Sequence, residues 1–342
     1  MFLEHVELRN ARRIALVGIA KHAGKTTVFN ELIRQASVQG RKLGLLSIGV
    51  DGERNDAIMG VPKPEVFVPA GALVASAGDV LEDGTALLRI VESTGISSTL
   101  GDVYLVEVQE PGTVVLAGVR DQQQVAQVMA RMERLGAELC LVDGAFDRMM
   151  AAQPLLTDGV VLATGAVVAK TVQEVAQKTA YFLQRFSLPQ ADEALTRLYD
   201  VAEEKGALVA GVVQGSEFLP VVLKQTSSFT ANPQTDENWP GQEQVRALAV
   251  TGAVTDRLLQ MLEGLPRGFA LVLSDATHFF VTGAVWRKFL RRGHQLVVRR
   301  AVRVYGLAVN PYSVEGYHLP GRELVEAVQA VAGDVAVFDV KE

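Results

Sequence analysis

The sequence predicts an α/β fold with a mostly parallel sheet, a β-rich insertion and a second α/β region. Over residues 1–165, apolar runs of strand length alternate with amphipathic segments, as in parallel sheets that are covered by helices. Residues 61–119 interrupt this alternation with short β-rich runs separated by turn residues, which indicates an insertion. The alternation returns in residues 166–342, where the polar, turn-rich stretch 225–244 is the expected loop or linker.

The first elements are a strand, an amphipathic helix and a second strand. The run 13-RIALVG-18 predicts a buried strand, and 25-KTTVFNELIRQASVQ-39 predicts a helix because its apolar residues recur at helical spacing. Gly40 stands where the end of a helix favours glycine, and 43-LGLLSIGV-50 predicts the second strand. Together they make a βαβ unit of the length that a parallel sheet requires.

The following elements are predicted from turn and capping signals. Within 102-DVYLVEVQEPGTVVLAG-118, Pro111-Gly112 is expected to form the middle of a type II turn. Asp121 is the expected N-cap of a helix over 122–135, because the apolar residues after it again follow helical spacing. Strand 138–144 then follows.

The segment 18-GIAKHAGKTT-27, between the first strand and the first helix, has the character of a phosphate-binding loop, or P-loop. In such loops backbone N–H groups surround the phosphates, a lysine reaches the terminal ones, and a Ser or Thr hydroxyl helps to hold Mg²⁺. Gly24, Lys25 and Thr26 supply this end of the motif. The strict pattern places glycine at position 19, whereas this chain has Ile19 preceded by Gly18. Because a strand precedes the loop and a helix begins at it, the sequence predicts a P-loop NTPase fold that binds a nucleotide within domain 1–165; the alternative is an inert strand–turn–helix corner.

Each residue of this loop has an expected role. Lys25 is the predicted catalytic cation, and Thr26 is a predicted metal ligand. Lys21 either adds a second positive charge near the phosphates or is a solvated surface lysine, and we interpret His22 as a loop residue. The predicted nucleotide-binding residues are consecutive: Lys21, His22, Ala23, Gly24, Lys25, Thr26 and Thr27.

Two acidic residues are expected to complete a magnesium site at the ends of neighbouring strands. Asp143 ends the apolar strand 138-ELCLVDG-144 and is the predicted metal-side carboxylate; alternatively, it caps the segment that follows. Asp51 follows the second strand and is predicted to contact Mg²⁺ or to orient the attacking water. The alternative is that Asp51, Glu53 and Asp56 belong to a solvated polar loop.

Composition and charge narrow the class of protein. The net charge of −6 argues against a general nucleic-acid binder, whose surface would be basic. The segment 286-WRKFLRRGHQLVVRRAVRV-304 has seven Lys or Arg residues and no acid; it either faces an anionic partner or is a solvated helix face followed by an edge strand.

The single cysteine, Cys140, fits a reducing compartment and a buried strand. The N-terminus lacks a secretory pattern and no apolar run approaches the ~20 residues of a membrane span, so we expect a cytoplasmic protein without membrane contact.

Other catalytic motifs have less support. The chain has no Gly-x-Ser-x-Gly elbow, and no dinucleotide-type Gly-x-Gly-x-x-Gly opens its first helix, which disfavours a hydrolase triad and a Rossmann oxidoreductase. Asp275 and His278 form either a hydrogen-bonded pair or a capped turn. Without a Cys or His cluster in the sequence, a zinc site is not expected.

Over roughly its first 170 residues the chain resembles the P-loop subunit of lysine 5,6-aminomutase reactivase. The likeness is carried by ordered segments: 17-VGIAKHAGKTT-27, 47-SIGVDGERND-56, 62-PKPEVFVPAGALV-74, 99-TLGDVYLVEVQEPGTVVLAG-118 and 141-LVDGAFDR-148. This resemblance implies ATP- and Mg²⁺-dependent reactivation of an adenosylcobalamin-dependent aminomutase of lysine degradation, together with a companion subunit similar to MutS ATPases. A broader likeness to dethiobiotin-synthetase and MinD-type P-loop proteins implies the roles given above to Lys25, Thr26, Asp51 and Asp143.

The sequence leaves three functions open. The first is a nucleotide-driven reactivating factor that acts on a protein. The second is an ATP-dependent small-molecule kinase or ligase of the dethiobiotin-synthetase type, which should present a compact pocket of polar groups beside the γ-phosphate. The third is a nucleotide-dependent scaffold without catalysis. The choice between ATP and GTP, hydrolysis by this chain and formation of a homo-oligomer also stay open.

Overall fold

The chain folds into two compact units, and both are described here from a computed structural model over residues 10–48, 65–144, 149–228 and 232–339. Unit 1 extends to Phe182 and resumes at Arg303, whereas unit 2 is Leu183–Val302. This division differs from the predicted boundary between 165 and 166. The physical reason is that the chain returns to its first sheet near the end, where strand Val304–Asn310 pairs in parallel with strand Gly159–Gly165.

Unit 1 is built on a nine-stranded mixed sheet. Its strands and those of a small two-stranded sheet are, in chain order, β1 (Arg13–Gly18), β2 (Leu43–Ile48), β3 (Val66–Val68), β4 (Leu73–Ala77), β5 (Leu87–Ser98), β6 (Gly101–Glu110), β7 (Gly112–Val114), β8 (Leu139–Gly144), β9 (Gly159–Gly165), β17 (Val304–Asn310) and β18 (Val337–Asp339). Across the large sheet the order is β18, β17, β9, β1, β8, β2, β4, β6, β5. Neighbours from β18 to β4 are parallel, but β6 is antiparallel to β4 and to β5. The predicted α/β class is confirmed, and the sheet is more mixed than expected at its β5 edge.

The helices of unit 1 begin and end close to the predicted positions. They are α1 (Lys25–Val38), α2 (Gln122–Arg134), α3 (Val172–Phe186), which extends into unit 2, and α7 (Gly321–Ala332). The apolar face of α1 packs with buried residues of β1, β2, β8 and β9 in one core cluster. As expected, Asp121 caps α2, since its side chain accepts a hydrogen bond from the backbone N–H of Gln124 at 2.9 Å. The helix over 25–39 and the helix over 122–135 are therefore confirmed.

The described part of the β-rich insertion extends the main sheet. β4 pairs with β2, and β6 and β5 follow it outward. The predicted type II turn at Pro111-Gly112 is wrong, because β7 pairs with β3 and does not fold back on β6. The glycine is required for a different reason: a β-carbon on Gly112 would lie 2.5 Å from the backbone nitrogen of Ala86.

Unit 2 contains a five-stranded sheet and three principal helices. Its strands are β10 (Val209–Gln214), β11 (Glu217–Val222), β12 (Val245–Val250), β14 (Ala270–Leu273) and β16 (Gln295–Val298), with a small pair β13 (Val254–Thr255) and β15 (Phe279–Phe280). The helices are α4 (Glu193–Lys205), α5 (Asp256–Leu262) and α6 (Gly283–Arg291). The sheet order is β11, β10, β12, β14, β16, with the last three strands parallel. The second α/β region is thus present, over a shorter range than predicted.

The stretch 225–244 is not a linker between domains, because its described residues are folded into unit 2. The buried carboxylate of Asp236 accepts hydrogen bonds from the backbone N–H groups of Lys224, Gln225 and Asn238. Burial on its own would raise the pKa of Asp236, but these hydrogen bonds and the charge of Lys224 hold it below its usual value. A polar side chain that satisfies three amides therefore orders a segment whose composition suggested mobility.

Four of the seven cations in the basic segment 286–304 form ion pairs with acids of unit 2. Lys288 and Arg292 both lie within salt-bridge distance of Glu263, at 2.8 and 3.4 Å. The two arginines that follow β16 pair with acids of α4: Arg299 with Asp200 and Arg300 with Glu203. A helix followed by an edge strand agrees with the second interpretation of this segment, although the three acids in these pairs are fewer than its seven cations.

The position of Cys140 agrees with the expected buried strand. Cys140 is fully buried in β8, and burial raises the pKa of its thiol to about 12, so the thiolate that nucleophilic chemistry needs is not formed near neutral pH. Among the described residues, no helix has both the length and the apolar character that a membrane crossing requires.

His294 should make the stability of unit 2 depend on pH. Its buried ring packs against Phe269 and Phe289, with centroid distances of 5.9 and 4.7 Å. This burial lowers the pKa of His294 below its ordinary value of 6.5, because the imidazolium form loses its solvation. Below about pH 6.5 the unfolded chain therefore binds a proton that the folded chain does not, and the free energy of unfolding falls as the pH drops.

We expect His294→Phe to flatten this acid-side loss in urea unfolding curves recorded between neutral pH and about pH 5. The exposed His318 offers a matched control, since His318→Gln should retain the dependence of the original chain. An equal loss of stability on acidification in His294→Phe would contradict the assignment.

Candidate functional site

The loop between β1 and α1 is shaped by its own backbone. Its first residue after the strand is held by β9, because the N–H of Ile19 donates to the carbonyl of Ala163 at 2.8 Å. His22 and Gly24 both adopt left-handed backbone conformations, with φ of 61° and 95°. The first hydrogen bond within the helix runs from the N–H of Val28 to the carbonyl of Gly24. The N–H groups of Lys25, Thr26 and Thr27 therefore precede the hydrogen-bonded ladder, as at any helix start.

The start of α1 suits an anion. Within the described helix, the first turn carries no acidic residue, and its N-cap is Gly24, which has no side chain to occupy the N–H groups. The helix dipole adds partial positive charge at this end, and Lys25 adds a full one. A phosphate group placed here would meet positive potential from backbone and side chain together.

Gly18 explains how the loop works without a glycine at position 19. A β-carbon at Gly18 would lie 2.9 Å from the carbonyl oxygen of Ala20 and 3.2 Å from both Cγ and Cδ of Lys25. The aliphatic part of Lys25 therefore lies against Gly18. A larger residue at this position would first collide with the backbone oxygen of Ala20 and would also crowd Lys25.

Asn310 lies against the other glycine of the loop. A β-carbon at Gly24 would be 3.1 Å from both Cβ and Nδ2 of Asn310, which is the last residue of β17. The side chain of Asn310 accepts from the N–H of Tyr312 at 3.1 Å, which fixes its amide oxygen. Asn310 was not among the residues predicted from the sequence, although a signal existed: it ends an apolar strand, as Asp143 does.

Asp143 lies at the carboxyl end of β8, next to the strand that enters the loop. In the parallel register it is paired with Leu16 of β1 on one side and with Ser47 of β2 on the other. Because side chains alternate along a strand, Asp143 shares the face of Leu139 and Leu141, both of which belong to the core cluster of α1. The carboxylate is thus on the α1 side of the sheet, two strand residues before Gly18 in register.

The predicted site residues are brought together only in part. Lys25, Thr26 and Thr27 are half-buried at the start of α1, Ala23 is buried beneath them and Lys21 is exposed. Asp51 lies outside the described residues, together with Glu53 and Asp56. The described residues contain no group of three or more His, Cys, Asp or Glu side chains able to hold a metal ion. Among the predicted metal ligands, the described residues include the hydroxyl of Thr26 and the carboxylate of Asp143, both of which are oxygen groups that suit Mg²⁺.

The pair Asp275 and His278 forms a capped turn at the end of β14. The carboxylate of Asp275 accepts from the N–H of Thr277 at 2.8 Å and from the hydroxyl of Ser274 at 3.0 Å. His278 Nδ1 lies 3.5 Å from the same carboxylate, so the two side chains are also in contact. The turn accounts for both residues, in agreement with the second of the two interpretations.

Comparisons with known proteins do not identify a relative. Neither protein-family models, nor curated proteins, nor solved structures gave a match to this chain. Function therefore has to be inferred from the geometry of the loop and its neighbouring strands.

Gly24 offers a direct test of the loop geometry. We expect Gly24→Ala to destabilise unit 1 by about 1–2 kcal/mol, because an L-residue at positive φ is strained and its β-carbon would crowd Asn310. Gly40→Ala is the matched control: Gly40 also has positive φ, at 69°, but no atom lies within 4 Å of the position that a β-carbon would take. Thermal unfolding should show strain in both variants, whereas loss of nucleotide binding should be confined to Gly24→Ala.

Proposed function

We propose that the chain is a P-loop NTPase subunit that binds Mg-ATP and serves as the ATP-dependent reactivating factor of an adenosylcobalamin-dependent aminomutase of the lysine 5,6-aminomutase type. The observation that carries the nucleotide part is the path of Lys25 across Gly18 at the start of α1. A lysine held over a loop of backbone N–H groups is the arrangement that neutralises the terminal phosphates of a nucleoside triphosphate. The reactivase part is supported by the resemblance of the ordered sequence segments.

The residues on the α1 face would bind different parts of Mg-ATP, some the phosphates and others the magnesium ion. Amides of Gly24, Lys25 and Thr26 would surround the phosphates, while the ammonium group of Lys25 would neutralise their charge. Magnesium would be held by the hydroxyl of Thr26 and the carboxylate of Asp143, and it supplies charge neutralisation between the outer phosphates. Asp51 keeps its proposed role in contacting the metal or orienting the attacking water.

Reactivation requires that the nucleotide bound to this chain changes the affinity of the chain for the mutase. A factor that removes a damaged cofactor must bind the opened form of the mutase more tightly than the closed form. Binding or hydrolysis of ATP then has to reverse that preference so that the mutase is released. We propose that a MutS-like companion subunit acts with this chain and that the complex works in the cytoplasm.

Calorimetric titration of the chain with Mg-ATP, followed by an activity assay, tests the proposal. We expect saturable binding, and we expect an inactivated cobalamin-dependent aminomutase to recover activity only with the chain, the companion subunit and ATP together. Absence of binding would reject the nucleotide site. Binding accompanied by phosphorylation or ligation of a small molecule, without reactivation, would favour the kinase or ligase instead.

A further inference from the structure

The outermost strand of the nine-stranded sheet has an open edge. β5 runs for twelve residues, Leu87–Ser98, and among the described residues no strand pairs with its outer side. Two of its apolar side chains are well exposed, Leu87 at 53% and Ile90 at 60%. A long edge strand presents a row of N–H and C=O groups that readily pairs with another strand.

The other edges of the two larger sheets are short, contain proline or are covered, whereas β5 is long and carries exposed apolar side chains as well as charges and register shifts. At the opposite edge of the large sheet, β18 has three residues. In unit 2, the edge strand β11 contains Pro220, which cannot donate to a neighbouring strand. The edge at β16 is covered by the chain at 189–191, since Val298 exchanges backbone hydrogen bonds with Pro189 and Ala191. Short length, proline and a covering loop are the usual ways to block edge pairing.

β5 shifts register against β6 at three places, between Leu87 and Leu88, Ile90 and Glu92, and Ser93 and Ser97, and the middle shift sets the faces of its charged residues. Ile90 pairs with Val106 and Glu92 with Leu105, so Val91 is the extra residue between two consecutive partners. Consecutive residues of β6 point to opposite faces, and therefore Ile90 and Glu92 do as well. Arg89, opposite Glu107, consequently shares its face with Glu92. The bulge places one cation and one anion on the same face of the edge, three residues apart.

We propose that a second copy of this chain pairs with β5 in an antiparallel manner, about a two-fold axis between Ile90 and Val91. This axis sets Arg89 opposite Glu92 of the second copy, and symmetry repeats the pair. The same axis brings Ile90 of one copy next to Val91 of the other, which covers the most exposed apolar side chain of the strand. The paired edge contains no residue of the nucleotide site, so the dimer is independent of the proposed function.

The charges favour this register over one centred on Arg89. An axis through Arg89 would place two arginines opposite each other, and like charges directly opposed across a strand pair are destabilising. Within each copy, Arg89 contacts Glu107 and Glu92 contacts Arg131, yet the side chains of Arg89 and Glu92 keep exposures of 63% and 40%. Both therefore remain able to reach a facing strand, and the paired edge would carry alternating charges.

Sedimentation equilibrium of the full chain tests the proposal. We expect a reversible dimer, and we expect Ile90→Lys to be monomeric at concentrations where the original chain is dimeric. Leu290→Lys is the control, because Leu290 is an exposed apolar residue of unit 2, at 43%, and its substitution should leave the dimer intact. A monomeric original chain, or a dimer that persists in Ile90→Lys, overturns the proposal.

Charge reversal separates edge pairing from a folding defect. Arg89→Glu and Glu92→Arg should each weaken the dimer about tenfold, since each opposes like charges twice across the axis. The double variant restores opposite charges between copies while both intramolecular pairs stay broken, and it should regain the dimer. A double variant as weak as the single ones, with circular dichroism unchanged, would contradict this register and overturn the proposal.

Discussion

Lys25→Ala is expected to weaken the binding of Mg-ATP by up to about hundredfold. Hydrogen bonds to charged groups contribute about 1.5–3 kcal/mol, and the upper end of that range corresponds to roughly this factor. The amides at the start of α1 remain in the variant, but the charge of the terminal phosphates is left without the ammonium group of the side chain that crosses Gly18. Isothermal titration calorimetry measures the change directly.

Two controls make this result specific to Lys25. Lys205→Ala removes an exposed lysine of unit 2 and should leave the affinity unchanged. Lys21→Ala should weaken binding far less than Lys25→Ala, because Lys21 is exposed on the loop whereas the chain of Lys25 lies over it. Equal affinity of the original chain and Lys25→Ala would remove the loop from consideration as a nucleotide site.

Asp143→Asn is expected to lower Mg²⁺-dependent turnover of ATP much more than ATP affinity. Asparagine keeps the shape of the side chain but loses the charge that a divalent cation prefers. The loss should amount to about tenfold or more in the rate at fixed magnesium and should shift the magnesium dependence to higher concentration. Phosphate-release kinetics over a magnesium series, beside calorimetry of the same protein, separates the two effects.

The matched control for this variant is Asp158→Asn. Asp158 accepts hydrogen bonds from the backbone N–H groups of Arg12 and Arg13, at 2.7 and 2.9 Å, at the opposite end of the same sheet. Its substitution should cost stability without changing the magnesium dependence. A parallel loss of binding and turnover in Asp143→Asn would mean that Asp143 is structural, the alternative that the sequence had left open.

Local signals in the sequence were sufficient to predict the first strand and two helices of unit 1. The strand ending at Gly18, the helix starting at Lys25 and the helix capped by Asp121 are found where periodicity and capping placed them. The loop of the candidate site was predicted as a run of consecutive residues, and Asp143 was placed correctly at a strand end. Asn310 was missed because it ends a strand far along the chain, and nothing in the sequence connects that strand with the loop.

The errors arose where pairing connects distant residues. Pro111-Gly112 has the composition of a type II turn, yet β7 pairs with β3, which lies far earlier in the chain. The stretch 225–244 was expected to be a loop or a linker, and its described residues form a loop within unit 2 that the carboxylate of Asp236 fixes through three amides. In both places a tertiary contact decided what local composition did not.

The sequence by itself determined the α/β class, the first βαβ unit and the loop of consecutive residues around Lys25, because hydrophobic periodicity, caps and glycines act over a few residues. Only the tertiary structure decided that β17 returns to the first sheet, that Asn310 lies against Gly24 and that β5 is left at an open edge of the described sheet. Strand pairing depends on hydrogen bonds and burial between segments far apart in the chain, and no local pattern encodes which segments meet.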